Sequence, residues 1–213
     1  MKRILFVCLG NICRSSSAEE VMRTLIKKEG LEHEIEVDSA GILSYHRGEL
    51  PDSRMRMHAS RRGYNLTHRS RPVCTEDFYH FDMIIGMDDR NIEDLMERAP
   101  DLETEKKIHR MTDYCRTKVA DYVPDPYYGG AQGFENVLDI LEDACAGLLT
   151  SLVPDTDTSM IHRFQLFFKQ RFNCCYILER NRAFFEIPFR YLCVNNLIYQ
   201  CADAFFRVLR QAA

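Results

Sequence analysis

A chain of 213 residues with a net charge of −4, and no apolar run near the ~20 residues that cross a bilayer, is expected neither in a membrane nor on nucleic acid. Its opening residues are too few for a secretory leader and run straight into a loop, so a cytoplasmic protein with reduced thiols is expected. The nine cysteines show no zinc spacing, since adjacent Cys174 and Cys175 lack a nearby second pair, and no metal or other cofactor is expected.

Taken in chain order, strands are expected near residues 2–7, 34–39, 82–87 and 106–110, and helices near 16–29, 52–62, 88–98 and 133–152. The first two show why. Lys2 to Val7 is a β-branched and aromatic run suited to a buried parallel strand, whereas Ser15 to Gly30 places Ala18, Val21, Met22, Leu25 and Ile26 on one helix face. Alternating strand and helix predicts an α/β fold, a four-stranded parallel sheet with helices on both faces. Its ligand site belongs at the carboxyl ends of the strands, where Cys8 stands. Gly63, Pro100 and the stretch 124–133 mark loops.

Between the first strand and helix runs CLGNICRS, residues 8–15. Backbone N–H groups along Leu9, Gly10, Asn11, Ile12, Cys13, Arg14 and Ser15 can turn inward as a nest, and the helix N-terminus adds roughly half a positive charge. The loop is therefore a candidate phosphate cradle. Nest, dipole and Arg14 together favour a thiolate, which makes Cys8 a candidate nucleophile; a structural cysteine at a strand end is the plainer alternative. Arg14 offers a planar fork for two phosphate oxygens, a geometry lysine lacks. Ser15 can donate to the Cys8 sulfur or cap the helix. Cys13 shares the ring, so a reversible Cys8–Cys13 disulfide could protect Cys8 from over-oxidation; packing against the helix is its plainer role.

These residues do not stand alone. C-x5-R-S with Gly10 and Asn11 inside the loop, DSAG at Asp38 to Gly41, MD at Met87 and Asp88, and DPYYG at Asp125 to Gly129 follow one another in order. The set resembles the low-molecular-weight protein tyrosine phosphatase family over most of residues 1–153. The resemblance implies hydrolysis of protein phosphotyrosine and small aryl phosphates through a phosphocysteine intermediate, with Cys8 attacking and Arg14 holding the phosphate. Asp125 then acts as general acid and afterwards as base. A phenolate leaving group of pKa ~10 needs that proton, and Pro124 and Pro126 hold Asp125 in a loop; an ordinary Asp-Pro turn is the alternative.

By the same resemblance Ile12, Tyr45, Tyr127 and Tyr128 wall a slot that admits phosphotyrosine and excludes the shorter phosphoserine. Asn11 braces the loop in a strained conformation, and Ser39, His68 and Asp88 support it, each also explicable as a cap or surface residue. Ile12 stands where a sister branch resembling arginine phosphatases tends to have Thr, and so favours tyrosine. Tyr128 is also a candidate phosphorylation site. The pattern departs from the family at Ser16, where Pro is usual in the first helical turn.

Residues 1–153 are expected to form the phosphatase domain, leaving 154–213 as an aromatic-rich extension, helical or poorly ordered, that opens on the linker-like PDTDTS. The extension holds nine of the thirteen Phe and has eight basic residues against five acidic, whereas 1–153 has twenty basic against twenty-seven acidic. A basic aromatic tail suits a membrane surface or nucleic acid; a loosely packed extension without chemistry of its own is the plainer reading. Two rival functions exist. Arsenate reduction on the same fold needs relay cysteines, but Cys74 stands alone between residues 14 and 114, and a non-catalytic phosphotyrosine reader has no need of Asp125.

Overall fold

The computed structural model describes residues 1–127 and 129–153. The expected extension at 154–213 lies outside the described residues, as does Tyr128. In chain order the elements are β1 (Lys2–Cys8), α1 (Arg14–Glu29), β2 (Ile35–Gly41), α2 (Ser53–Arg61), α3 (Thr75–His80), β3 (Met83–Gly86), α4 (Asp89–Arg98), α5 (Leu102–Glu105), β4 (Ile108–Arg110) and α6 (Ala131–Leu152). The four strands are parallel, in the order β2-β1-β3-β4.

Successive side chains of β1 point to opposite faces of the sheet, and both faces are covered. Ile4, Phe6 and Cys8 enter a core shared with α1, α2 and α6, while Leu5 and Val7 enter a second one shared with α3 and α4. That is why the run from Ile4 to Val7 is apolar without alternation. Fully burying a side chain such as Phe6 contributes roughly 1.5–3 kcal/mol, so this strand anchors the fold. With β2 on one side of β1 and β3 on the other, the connections part at the carboxyl end of β1, the place where open α/β sheets bind ligands.

Element boundaries moved for local reasons. α1 begins at Arg14 rather than near 16, because the end of the loop is already helical: Ser17 N donates to Cys13 O at 3.3 Å, and the Ser17 and Ser16 hydroxyls reach the same carbonyl at 2.7 and 3.4 Å. Ser16 thus replaces proline's preset geometry with a hydrogen bond. α1 ends at Gly30, whose φ of 70° lets Leu31 N return to Ile26 O at 3.0 Å. The elements α3 and α5 and a 3-10 turn at Met111–Tyr114 were not expected, since each is too short to show a helical period. Their signal lies in caps such as Asp101, which accepts from Thr104 N at 2.8 Å while Thr104 Oγ1 accepts from Asp101 N at 3.1 Å.

The segment that leads toward Asp125 is tied to α6. Asp143 accepts backbone N–H bonds from Arg116, Thr117 and Lys118 at 2.9, 3.0 and 2.9 Å. Burial pushes its carboxyl up, but these donors and the Thr117 hydroxyl hold it well below the usual range. One helical turn on, Gly147 lets Tyr114 approach so closely that a Cβ there would lie 1.9 Å from the Tyr114 carbonyl oxygen.

Candidate active site

Residues 8–15 fold into a ring around the Cys8 sulfur. The carbonyls of Cys8, Leu9 and Ile12 accept from Ile42 N, Leu43 N and Asp52 N at 2.9, 2.9 and 2.8 Å, and that of Gly10 accepts from the Ser70 hydroxyl at 3.1 Å. With these carbonyls held outward, the N–H groups on the far side of the peptide planes are free to turn toward the centre, as a nest requires. Asn11 N points at Cys8 Sγ from 3.3 Å, and Ser15 Oγ lies 3.1 Å from the same sulfur.

Asn11 makes this curvature possible. Its φ of 57° is the positive value found outside glycine among the described residues, and it costs an L residue roughly 1–2 kcal/mol. All four hydrogen-bonding sites of its amide are engaged. Nδ2 donates to Ser15 Oγ at 3.0 Å and Ser39 Oγ at 2.8 Å; Oδ1 accepts from Arg71 N at 3.0 Å and faces His68 Nε2 at 3.1 Å. Gly41, at the end of the DSAG motif, permits the contact: a Cβ there would meet Gly10 C at 3.1 Å and Asn11 Cβ at 3.2 Å.

Behind Asn11 stands Glu19, 2% exposed on α1. Ser39 Oγ donates to its Oε2 at 2.6 Å, His68 Nδ1 lies 3.0 Å from the same oxygen, and Arg23 pairs with Oε1. Burial pushes the Glu19 carboxyl up, but the hydrogen bond and charge of His68, then Ser39 and Arg23, bring it below its ordinary value. Ligand atoms of Glu19, Asp38 and His68 lie within 4.8 Å of one another. Each is already engaged, Asp38 by Arg71 at 2.8 Å, and the cluster is a brace for the loop.

Arg14 is only 3% exposed. Nη1 donates to Asp88 Oδ2 at 2.5 Å and to Val123 O at 3.2 Å, and Nη2 donates to Asp125 Oδ2 at 3.1 Å. Burial alone would weaken its charge; the Cys8 sulfur, Asp125 and Asp88 outweigh that and raise its pKa. Asp88 also accepts from Asn91 N at 2.8 Å, so it caps α4 and aims Arg14 together. Asp125 Oδ1 accepts from Tyr127 N at 3.0 Å as in an Asp-Pro turn, while Oδ2 faces Arg14.

A cavity of about 260 Å³ brings Cys8, Leu9, Gly10, Ile12, Cys13 and Arg14 together with Asp125, Tyr45 and Tyr127. Tyr45 lines this cavity and is 82% exposed, so it stands at the outer edge of the slot. Tyr127 is partly exposed, with the Arg54 guanidinium 5.2 Å from its ring centroid. Ser39 and His68 stand behind the loop, not in the cavity. Cys13 is buried and free, and burial, then neighbouring Cys8, pushes its thiol up. A second groove along α2, about 380 Å³ between Leu50 and Thr67, contains no cysteine.

Sequence reasoning missed Glu19, Arg71 and His46. A signal existed for Glu19, which falls one helical turn after Ser15 among the buried positions of α1. His46, which lines the cavity beside Tyr45, had none.

Fold and site together define an α/β domain with a cysteine enclosed in an arginine-closed ring of amides at a strand end. The family profile described as low molecular weight phosphotyrosine protein phosphatase matches residues 3–158, and the chain belongs to that family of hydrolases. A crystal structure of a protein tyrosine phosphatase from Entamoeba histolytica is 49% identical, covers 71% of this chain and 97% of its own, and superposes with a TM-score of 0.70. The low molecular weight protein-tyrosine-phosphatase of Streptomyces coelicolor is 38% identical over 152 residues, 70% of this chain and 93% of that protein. The crystal structure of a Drosophila arginine phosphatase is 32% identical with a TM-score of 0.68, covering 73% of this chain and 100% of its own.

Proposed function

We propose that the protein hydrolyses phosphotyrosine in proteins, and small aryl phosphates, through a phosphocysteine intermediate. The observation that carries this reading is the placement of the Cys8 sulfur inside the amide ring, with Arg14 fixed between Asp88 and Asp125. The phosphate dianion occupies the ring, where the inward N–H groups and the Arg14 fork meet its equatorial oxygens and stabilise charge in the transition state. Arg14 Nη2 then has a phosphate partner, and Asp125, released from its ion pair, takes up the proton it donates. Cys8 attacks phosphorus, the P–O bond breaks, and the phenol leaves with the Asp125 proton. Asp125 next removes a proton from water as that water attacks the P–S bond, releasing inorganic phosphate and the thiolate. Ser15, 3.1 Å from the sulfur, stabilises the departing thiolate.

Ile12 and Tyr127 give the cavity an apolar and aromatic lining suited to a phenyl ring, and Ile12 supports tyrosine over arginine. Residues 1–153 form the catalytic domain in this reading, supported by the match over 3–158. A nucleophilic thiol needs reducing surroundings, so the cytoplasm is its proposed setting. The test is hydrolysis, in EDTA, of p-nitrophenyl phosphate and phosphotyrosyl, phosphoseryl and phosphoarginyl peptides. Wild type should cleave the aryl phosphates, Cys8→Ser should be inactive, and Asp125→Asn should lose roughly 10²–10⁴ in kcat. Faster cleavage of phosphoarginine than of phosphotyrosine would transfer the enzyme to the arginine branch.

A further inference from the structure

We propose that the enzyme prefers phosphotyrosine flanked by acidic residues, which it reads with two exposed arginines beside the phosphate loop, Arg47 and Arg69. The inference rests on the phosphotyrosine reading above and names the kind of peptide that site selects.

Two segments zip together beside the phosphate loop. Gly48 N donates to Ser70 O at 2.7 Å, Ser70 N donates to Glu49 O at 2.9 Å, and the Ser70 hydroxyl holds Gly10 O at 3.1 Å. The left-handed turn at Gly48, φ 82°, presents its carbonyl to Arg69 Nη1 at 2.8 Å. His46 packs against the loop itself, for a Cβ on Gly10 would lie 3.2 Å from His46 Cδ2. Its other edge is held by Glu49, with Nδ1 2.7 Å from Oε2.

On this side of the mouth the acidic side chains are already engaged, while two arginines have no acidic partner among the described residues. Glu49 is engaged by His46, Asp52 by Arg54, Asp38 and Asp77 by Arg71, and Asp125 by Arg14. Arg47 and Arg69 are exposed, and neither makes an ion pair among the described residues. Residues 1–153 carry twenty basic against twenty-seven acidic side chains, so exposed arginines without an acidic partner stand out beside the mouth. Such cations attract an anion and orient it. A phosphotyrosine seated in the ring leaves its neighbouring residues on this rim, and glutamate or aspartate there meets Arg47 and Arg69.

The test measures kcat/KM of the full chain on phosphotyrosyl peptides flanked on both sides by glutamate, alanine or lysine, with p-nitrophenyl phosphate as reference. Wild type should favour the glutamate peptide over the alanine peptide by about fivefold, the value of two exposed ion pairs. High salt should shrink that ratio, because the screening length falls from about 10 Å at 0.1 M to about 3 Å at 1 M. An Arg47→Glu, Arg69→Glu double variant should reverse the order of the glutamate and lysine peptides, and the milder Arg47→Gln, Arg69→Gln pair should bring their ratio near one. Equal rates on the three peptides, or a preference that survives charge reversal, would overturn the proposal while leaving the phosphatase reading intact. Flat peptide selectivity with arginine-dependent binding to anionic vesicles would assign the rim to a lipid surface and overturn it too. Failure of wild type to cleave p-nitrophenyl phosphate would instead remove the reading beneath it.

Discussion

Asn11 shows how a single side chain can hold a strained backbone. A left-handed residue next to a nucleophile needs compensation, and four hydrogen bonds from one amide supply it. Glu19 is the far end of the same network, so its carboxylate is predicted to contribute to stability. Its pKa is held below the ordinary glutamate value, so the folded state binds the proton less readily than the unfolded chain. The stabilisation is therefore complete above the ordinary value of about 4.3 and is lost as pH falls through the depressed one. Glu19→Gln should cost about 2–3 kcal/mol at neutral pH by urea denaturation, with the gap to wild type closing below about pH 4. A gap that stays constant with pH would show that the charge is not what stabilises.

At the scale of elements, the contact between α6 and the 3-10 turn is the tightest approach. Glycine inside a helix is normally worse than alanine by roughly 0.5–1 kcal/mol, so propensity alone favours Gly147→Ala. The structure predicts the opposite, because the new Cβ would sit 1.9 Å from a backbone oxygen that cannot rotate away. A loss of about 1–3 kcal/mol is expected, seen as a lower Tm, and because residues 115–125 follow from that turn, kcat should fall with it. Gly86→Ala is the control. Its Cβ would meet the tip of Ile92 at 2.6 Å, a flexible side chain that can yield, and the cost should be smaller.

For the whole molecule, the two cores and the ring are built from residues that the structure describes within 1–153. Among the described residues, no helix is long and apolar enough to cross a membrane. Every side chain proposed for the chemistry lies in this part, so removing 154–213 should leave the turnover of p-nitrophenyl phosphate per mole unchanged. An insoluble or inactive truncated protein would show that the remaining sixty residues take part in the fold.

Local chemistry made much of this protein legible in its sequence. The strand-loop-helix at residues 2–29 announced itself because period, glycine and the Cys-to-Arg spacing are all properties of consecutive residues. The roles of Asn11, Ser39, His68 and Asp88 around the loop came from motif order, and the structure brings all four to within hydrogen-bonding reach of the loop or of Arg14. What only the tertiary structure decided was the company those residues keep. Glu19 becomes part of the brace because β2 and the segment at 68–71 fold over it; its place one turn after Ser15 marks the buried face, but its partners come from distant segments. That Tyr45 stands at the outer edge of the slot has the same cause, since loop exposure is set by what packs beyond it. That Arg47 and Arg69 have no acidic partner among the described residues is likewise decided by the fold, which gives the nearby Asp38 to Arg71 and Asp125 to Arg14.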